Sequence, residues 1–124
     1  MPLGLGIDII EVERIRQSLE KFGDRFVRRI LREEEIAYCR AQRDAAPFVA
    51  ARFAAKEAVS KAFGTGITGE LGWQDIEIRR KESGAPYVVL HDKGLVLLEK
   101  RGGALVRISL THTHNHACAV AMLE

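Results

Sequence analysis

Pro47-Phe48-Val49-Ala50-Ala51-Arg52-Phe53-Ala54-Ala55-Lys56-Glu57-Ala58-Val59-Ser60-Lys61-Ala62-Phe63, followed by Gly64-Thr65-Gly66, is the longest stretch of one periodicity in the chain. From Phe48 to Phe63 it contains no glycine or proline, and Val49, Phe53, Ala55, Val59, Ala62 and Phe63 recur at helical spacing. It predicts an amphipathic helix opened by Pro47 and closed by Gly64. Glu57 and Lys61 are four residues apart and so share a face. They read either as an ordinary helix ion pair or as a carboxylate for a metal beside an ammonium for a phosphate, and an ExxxK spacing alone does not decide. Gly64-Thr65-Gly66 follows its helix, whereas phosphate-binding glycine loops precede theirs, where free N–H groups and the dipole favour anions. It is therefore neither a nucleotide-hydrolase loop nor a dinucleotide fingerprint, and a plain C-cap would account for it.

Working outward, Leu3-Gly4-Leu5-Gly6-Ile7-Asp8-Ile9-Ile10 reads as a buried strand. A carboxylate inside it needs a partner: a basic side chain, water at an edge position, or a metal. Short helices are expected around Glu13 to Leu19, Asp24 to Leu31 and Glu33 to Cys39. Strands are expected at Asp75 to Arg79, Tyr87 to Leu90, Leu105 to Thr111 and Ala117 to Leu123, with a helix from Asp92 to Arg101. Loosely alternating hairpins among helices indicate an α+β class, not a doubly wound one.

The 124 residues fit one domain spanning 1–124, and a formal net charge of +2 excludes no partner class. No apolar run reaches the roughly 20 residues of a membrane span, and the first residues lack the order of a secretory signal, so a cytoplasmic protein is expected. Cys39 and Cys118 lack metal-ligand spacing and read as reduced, partly buried thiols. Arg25, Arg28, Arg29 and Arg32 recur at i, i+3, i+4 and i+7, one basic helical stripe suited to an acidic protein or a nucleic acid. In Thr111-His112-Thr113-His114-Asn115-His116 the imidazoles alternate. An extended strand would gather them as a three-histidine zinc site, whereas a hairpin turn would scatter them.

Gly6-Ile7-Asp8, the Arg52 to Gly66 block with its KExxxK core, the Gln74-Asp75-Ile76-Glu77-Ile78 strand, the Gly84-x-Pro86 turn and a late Ser109-Leu110-Thr111-His112 together resemble the holo-[acyl carrier protein] synthases. These are the single-domain bacterial type of the 4'-phosphopantetheinyl transferases. The resemblance implies their fold, an antiparallel sheet packed against a long central helix plus short helices. It also implies a Mg²⁺-dependent transfer of phosphopantetheine from coenzyme A to a serine of apo acyl carrier protein, releasing adenosine 3',5'-bisphosphate and supporting fatty acid biosynthesis. By the same resemblance Asp8 and Glu57 take the metal-ligand positions and Lys61 steadies a phosphate oxygen. Either Glu57 or a metal-bound water serves as base. Arg52, Lys61, Gly64, Thr65, Gly66 and His112 occupy coenzyme A positions, and Arg14, with Arg25 and Arg28, faces an acidic carrier protein. A homotrimer with sites between subunits is implied, with no nucleic acid and no membrane as partner. The chain departs from the family pattern at His116, where an aromatic is usual, and at Ala85, where a basic residue is common. Two readings from other classes compete: a non-catalytic basic binding module, and a zinc hydrolase using His112, His114 and His116.

Overall fold

The computed structural model of the protein describes residues 2–124. The chain runs β1 (Gly4–Glu11), α1 (Val12–Phe22), α2 (Asp24–Ile30), α3 (Glu33–Arg40), α4 (Ala46–Phe63), β2 (Ile76–Arg80), β3 (Pro86–Leu90), α5 (Lys93–Lys100), β4 (Val106–His112) and β5 (His116–Leu123), with one 3-10 turn at Trp73–Asp75. β5 is the middle strand of an antiparallel sheet ordered β1-β5-β4, and β2 pairs with β3 in a separate hairpin. This is the expected α+β architecture, with each predicted element present to within a few residues.

α4 is the axis of the molecule, and it is more buried than its pattern predicts. Ala50, Ala51, Ala54, Ala55 and Ala58 are all 0% exposed, so the helix is enclosed on most of its circumference and is not amphipathic. Its C-terminal half packs on the sheet, where Ala58, Val59 and Ala62 meet Ala119, Ala121 and Leu123. Its N-terminal half packs under α1 to α3, where Val49, Ala50 and Ala51 meet Val12, Ile15, Ile30 and Ile36. Alanine at so many contact positions lets flat strands and the helix approach closely. Pro47 in the first turn and Gly64 at φ +79 bound the helix where the sequence places its ends.

Two expectations are corrected here. The apolar run of β1 is not buried on both faces: Gly6 turns inward, Asp8 and Ile10 lie partly buried on the same face, and Leu5, Ile7 and Ile9 stand 63–69% exposed on the other. The strand is an edge of the sheet, and alternation cannot reveal that one apolar face is left uncovered. Nor do the four arginines form one stripe. α2 ends at Ile30, Leu31 turns extended, and Arg32 leaves the helix to donate from Nη1 to the Gln74 carbonyl at 2.8 Å.

Arg32 leaves because its own N–H donates to Glu35 Oε1 at 2.8 Å, starting α3. Glu35 is fully buried, and the same oxygen takes the ammonium of Lys56 at 2.9 Å while Oε2 takes the Ile78 N–H at 3.0 Å. Lys56 completes its set at the carbonyls of Ile30 (2.6 Å) and Trp73 (3.1 Å). Burial pushes the Lys56 pKa down from its ordinary value, and the Glu35 carboxylate pulls it back. Removing the ammonium strands a buried carboxylate. Lys56→Met is therefore expected to cost about 3–5 kcal/mol in urea unfolding, and a loss under about 1 kcal/mol would show that the pair is dispensable.

Candidate active site

The candidate site is assembled where β1 crosses α4. Gly4, Gly6 and Asp8 point the same way along β1. A Cβ at Gly4 or Gly6 would fall on the backbone carbonyls of Ala62 and Ala58. Only glycine permits this approach, and it sets Asp8, two residues on, directly over the last turns of α4. Lys61 Nζ then reaches Asp8 Oδ1 at 3.0 Å and the Ile7 carbonyl at 2.9 Å. The ammonium that could have paired with Glu57 along the helix pairs instead with Asp8 across elements, and among the described residues no Glu57–Lys61 ion pair is present.

Glu57 lies half-buried beside this pair, and its carboxyl pKa is raised, first by burial, then by the charge of Asp8, with Lys61 pulling the other way. Glu57 thus lies within electrostatic reach of both members of the Asp8–Lys61 pair. No group of three or more His, Cys, Asp or Glu gathers in ligating position among the described residues. The two carboxylates, Asp8 and Glu57, fit a hard divalent cation that takes one or two carboxylates and completes its shell with phosphate oxygens and waters. They do not fit a cation needing a full protein cage.

Gly64-Thr65-Gly66 closes α4. The N–H of Gly64 donates to Lys61 O, and those of Thr65 and Gly66 donate to Ser60 O. Gly64 and Gly66 both have positive φ, and Arg101 donates to the Phe63 carbonyl just before the loop. The loop's backbone donors are spent on the helix end and the Thr65 hydroxyl donates to the Gly66 carbonyl, so what the two glycines offer a ligand is close approach to the backbone.

Arg52 lies elsewhere. It is nine residues before Lys61, two and a half turns, so the two leave α4 on opposite sides about 13 Å apart along its axis. Its guanidinium sits 4.3 Å from the centre of the Tyr38 ring. His112, the last residue of β4, stacks edge-on against Phe48 with ring centres 4.9 Å apart. His114 falls in the Thr113–Asn115 turn that the Thr113 N–H closes onto the His116 carbonyl, so the three histidines are scattered. Arg14, Arg25 and Arg29 are exposed on α1 and α2, while Arg28 is tied to Asp24 and Glu33. Lys56 and Glu35 escaped the sequence reading, because a lysine and a glutamate on helices ordinarily stand at the surface and only their tertiary partners reveal them as buried.

A family model described as the 4'-phosphopantetheinyl transferase superfamily matches residues 4–121. The chain belongs to that superfamily. Full-length relatives narrow this to its holo-[acyl-carrier-protein] synthases. The one from Koribacter versatilis is 47% identical over 124 residues, covering 100% of this chain and 99% of the relative. The one from Nitratidesulfovibrio vulgaris strain Hildenborough is 46% identical at the same coverage. Among solved structures, the holo-[acyl-carrier-protein] synthase of Neisseria meningitidis superposes with a TM-score of 0.93 at 34% identity, covering 100% and 99% of the two chains. That of Helicobacter pylori, in complex with coenzyme A, gives 0.87 at 31% identity, covering 97% and 99%. The protein is thus an enzyme, a phosphopantetheinyl transferase, and neither a binding module nor a histidine-based zinc hydrolase.

The charge balance at Glu57 gives a signed test by carbon-detected NMR titration of its carboxyl. Asp8→Asn removes a like charge and should lower the Glu57 pKa, whereas Lys61→Met removes the opposite charge and should raise it. A Glu57 titration unmoved by both would show that the three groups are not one cluster.

Proposed function

We propose that the whole chain, as one domain, transfers 4'-phosphopantetheine from coenzyme A to a serine hydroxyl of an apo acyl carrier protein, in a Mg²⁺-dependent reaction that supplies holo carrier to fatty acid biosynthesis in the cytoplasm. The observation that carries the reading is the crossing of β1 and α4, which brings Asp8, Glu57 and Lys61 into one cluster. Asp8 and Glu57 would hold the Mg²⁺, which when bound would supply positive charge to the phosphates of the substrate. Lys61 is paired to Asp8 without ligand and turns to a phosphate oxygen in the complex, stabilising the charge that develops there. Either Glu57 or a water beside it accepts the serine proton as the hydroxyl attacks the β-phosphorus. The bond from the β-phosphorus to its bridging oxygen breaks, and adenosine 3',5'-bisphosphate leaves.

Arg52 and His112 bind the phosphates of the adenosine end, and Gly64 and Gly66, on either side of Thr65, let the ligand lie close to the backbone. Because Arg52 and Lys61 leave opposite sides of α4, one chain does not close a site around them. A homotrimer in which Arg52 and His112 of one subunit face Asp8, Glu57 and Lys61 of the next would. The uncovered apolar face of β1, Leu5, Ile7 and Ile9 with Val120 paired opposite Ile7, supports burial against another copy. Arg14 and Arg25 take the acidic carrier. Arg25 lies with Phe22, Phe26 and Arg29 along a groove between α1 and α2, giving both charge and apolar contact. Arg28, already paired, contributes less. Nothing in the assignment uses a nucleic acid or a membrane, and among the described residues no helix is long and apolar enough to cross a bilayer.

Intact-mass spectrometry of an apo acyl carrier protein incubated with this enzyme, coenzyme A and Mg²⁺ should show the gain of one phosphopantetheine group, lost with EDTA and in Asp8→Ala and Glu57→Ala. Wild-type rates in either carboxylate variant would sink the metal assignment. Arg14→Glu should raise KM for the carrier about tenfold or more, roughly the worth of one charge pair turned repulsive, with little change for coenzyme A. Light scattering should report three chains per particle, and a monomer in Ile7→Lys with lost activity; an active wild-type monomer would refute the shared site.

A further inference from the structure

Away from the crossing of β1 and α4, the molecule holds a pocket rich in arginine. A cavity of about 310 Å³ opens between α3, α4 and the β2-β3 hairpin, and Tyr38, Arg52, Arg79, Arg80 and Tyr87 contribute to its wall. Its acids are already engaged. Glu35 is held by Lys56 and the amides of Arg32 and Ile78, while Glu34 is exposed and lies 3.9 Å from Arg79. Arg79 is matched by Glu77 at 3.1 Å. Arg52 and Arg80 are left with no carboxylate within ion-pair distance among the described residues.

Arg52 is the unusual one, being 2% exposed. Its hydrogen bonding amounts to one long contact from Nη1 to the Phe48 carbonyl at 3.4 Å, and Nε has no partner. A buried guanidinium held so weakly by polar groups owes its position to something else. The Tyr38 ring is that support. The guanidinium carbons of Arg52 and Arg80 lie 4.3 Å and 5.2 Å from its centroid. The electron-rich face of the ring offsets part of the repulsion between two cations held near each other without a counterion. Tyr38 in turn meets Phe48 edge-on at 6.0 Å, and Phe48 meets His112 at 4.9 Å. One aromatic chain therefore runs from Arg52 through Tyr38 and Phe48 to His112, joining α3, α4 and β4.

We propose that Tyr38 is a positioning residue which, through its ring, holds Arg52 and Arg80 as a paired guanidinium receptor for a phosphate monoester at the adenosine end of the coenzyme A substrate. Two forked donors suit a dianionic monoester better than a diester, because both charges and several oxygens are met at once. Phe48 extends the same support to His112, so the groups that grip this end of the ligand are set by one aromatic cluster instead of by polar contacts. The proposal rests on the coenzyme A reading of Arg52 given above.

The test is calorimetric titration of adenosine 3',5'-bisphosphate into the full-length enzyme and its variants. Tyr38→Phe keeps the ring and should bind within about twofold of wild type, whereas Tyr38→Leu should bind about five- to thirtyfold more weakly, the range expected when cation–π attraction is removed from a desolvated site. In turnover, Tyr38→Leu should raise KM for coenzyme A more than it lowers kcat, a split that general loosening of the fold would not give. Arg80→Gln, at an exposed position that does not endanger folding, should also weaken the bisphosphate severalfold, and less so adenosine 5'-monophosphate, which lacks the second phosphate. Unchanged bisphosphate affinity in Arg80→Gln, or in a Tyr38→Leu variant with a wild-type melting curve, overturns the proposal. A wild-type enzyme that binds the bisphosphate but transfers nothing in the intact-mass assay would refute the reaction and leave this pocket to be judged by its own affinities.

Discussion

The ammonium of Lys56 and the carboxylate of Glu35 meet at 2.9 Å with neither side chain exposed to solvent, and the pair ties α3 and α4 to three further segments of the chain. Through the Ile30 carbonyl the pair holds the end of α2. Through the Arg32 amide it starts α3, through the Trp73 carbonyl it fixes the 3-10 turn, and through the Ile78 amide it holds β2. A buried ion pair gives little net stability compared with apolar side chains of the same size, because its desolvation is so costly. What it gives here is geometry. Four backbone groups that no regular element satisfies are brought to one point, so the irregular segments around α4 have one arrangement that leaves no polar group unpaired. The shape of the cavity between α3, α4 and the β2-β3 hairpin follows from it.

The crossing of β1 and α4 depends on the opposite chemistry. There, no side chain lies between the backbones at Gly4 and Gly6, and the facing helix positions are alanine. Close contact places three charged groups, Asp8, Glu57 and Lys61, where none is fully solvated and the charges of Asp8 and Lys61 act on Glu57. The raised proton affinity of Glu57 results from that crowding. A longer spacing between strand and helix would return its carboxyl toward the ordinary range and leave Lys61 in water.

Much of this was legible in the residues. The long helix was marked by its proline and glycine, and Asp8, Glu57 and Lys61 stood out by an acid in an apolar strand and by helical spacing. Arg52 and His112 were found by resemblance alone. Other features had no sequence signal. An apolar run in β1 reads alike whether its second face meets protein or solvent, so the exposure of Leu5, Ile7 and Ile9 could not be foreseen. The break after Ile30 that takes Arg32 off the basic stripe depends on Glu35, whose hydrogen-bond donors are drawn from residues more than forty positions away as well as from nearby ones. A lysine in a helix is ordinarily a surface residue, and only its tertiary partners reveal Lys56 as buried.

Small residues at the β1–α4 contact also shape how this enzyme can change over time. Polar active-site groups are often taken as the positions under strictest constraint, yet Gly4, Gly6, Ala58 and Ala62 admit no enlargement without moving a strand. Sequence drift in this lineage is therefore channelled away from the crossing and toward faces with room, such as the exposed Leu95 and Val96 side of α5. The crossing itself stays fixed by the absence of space.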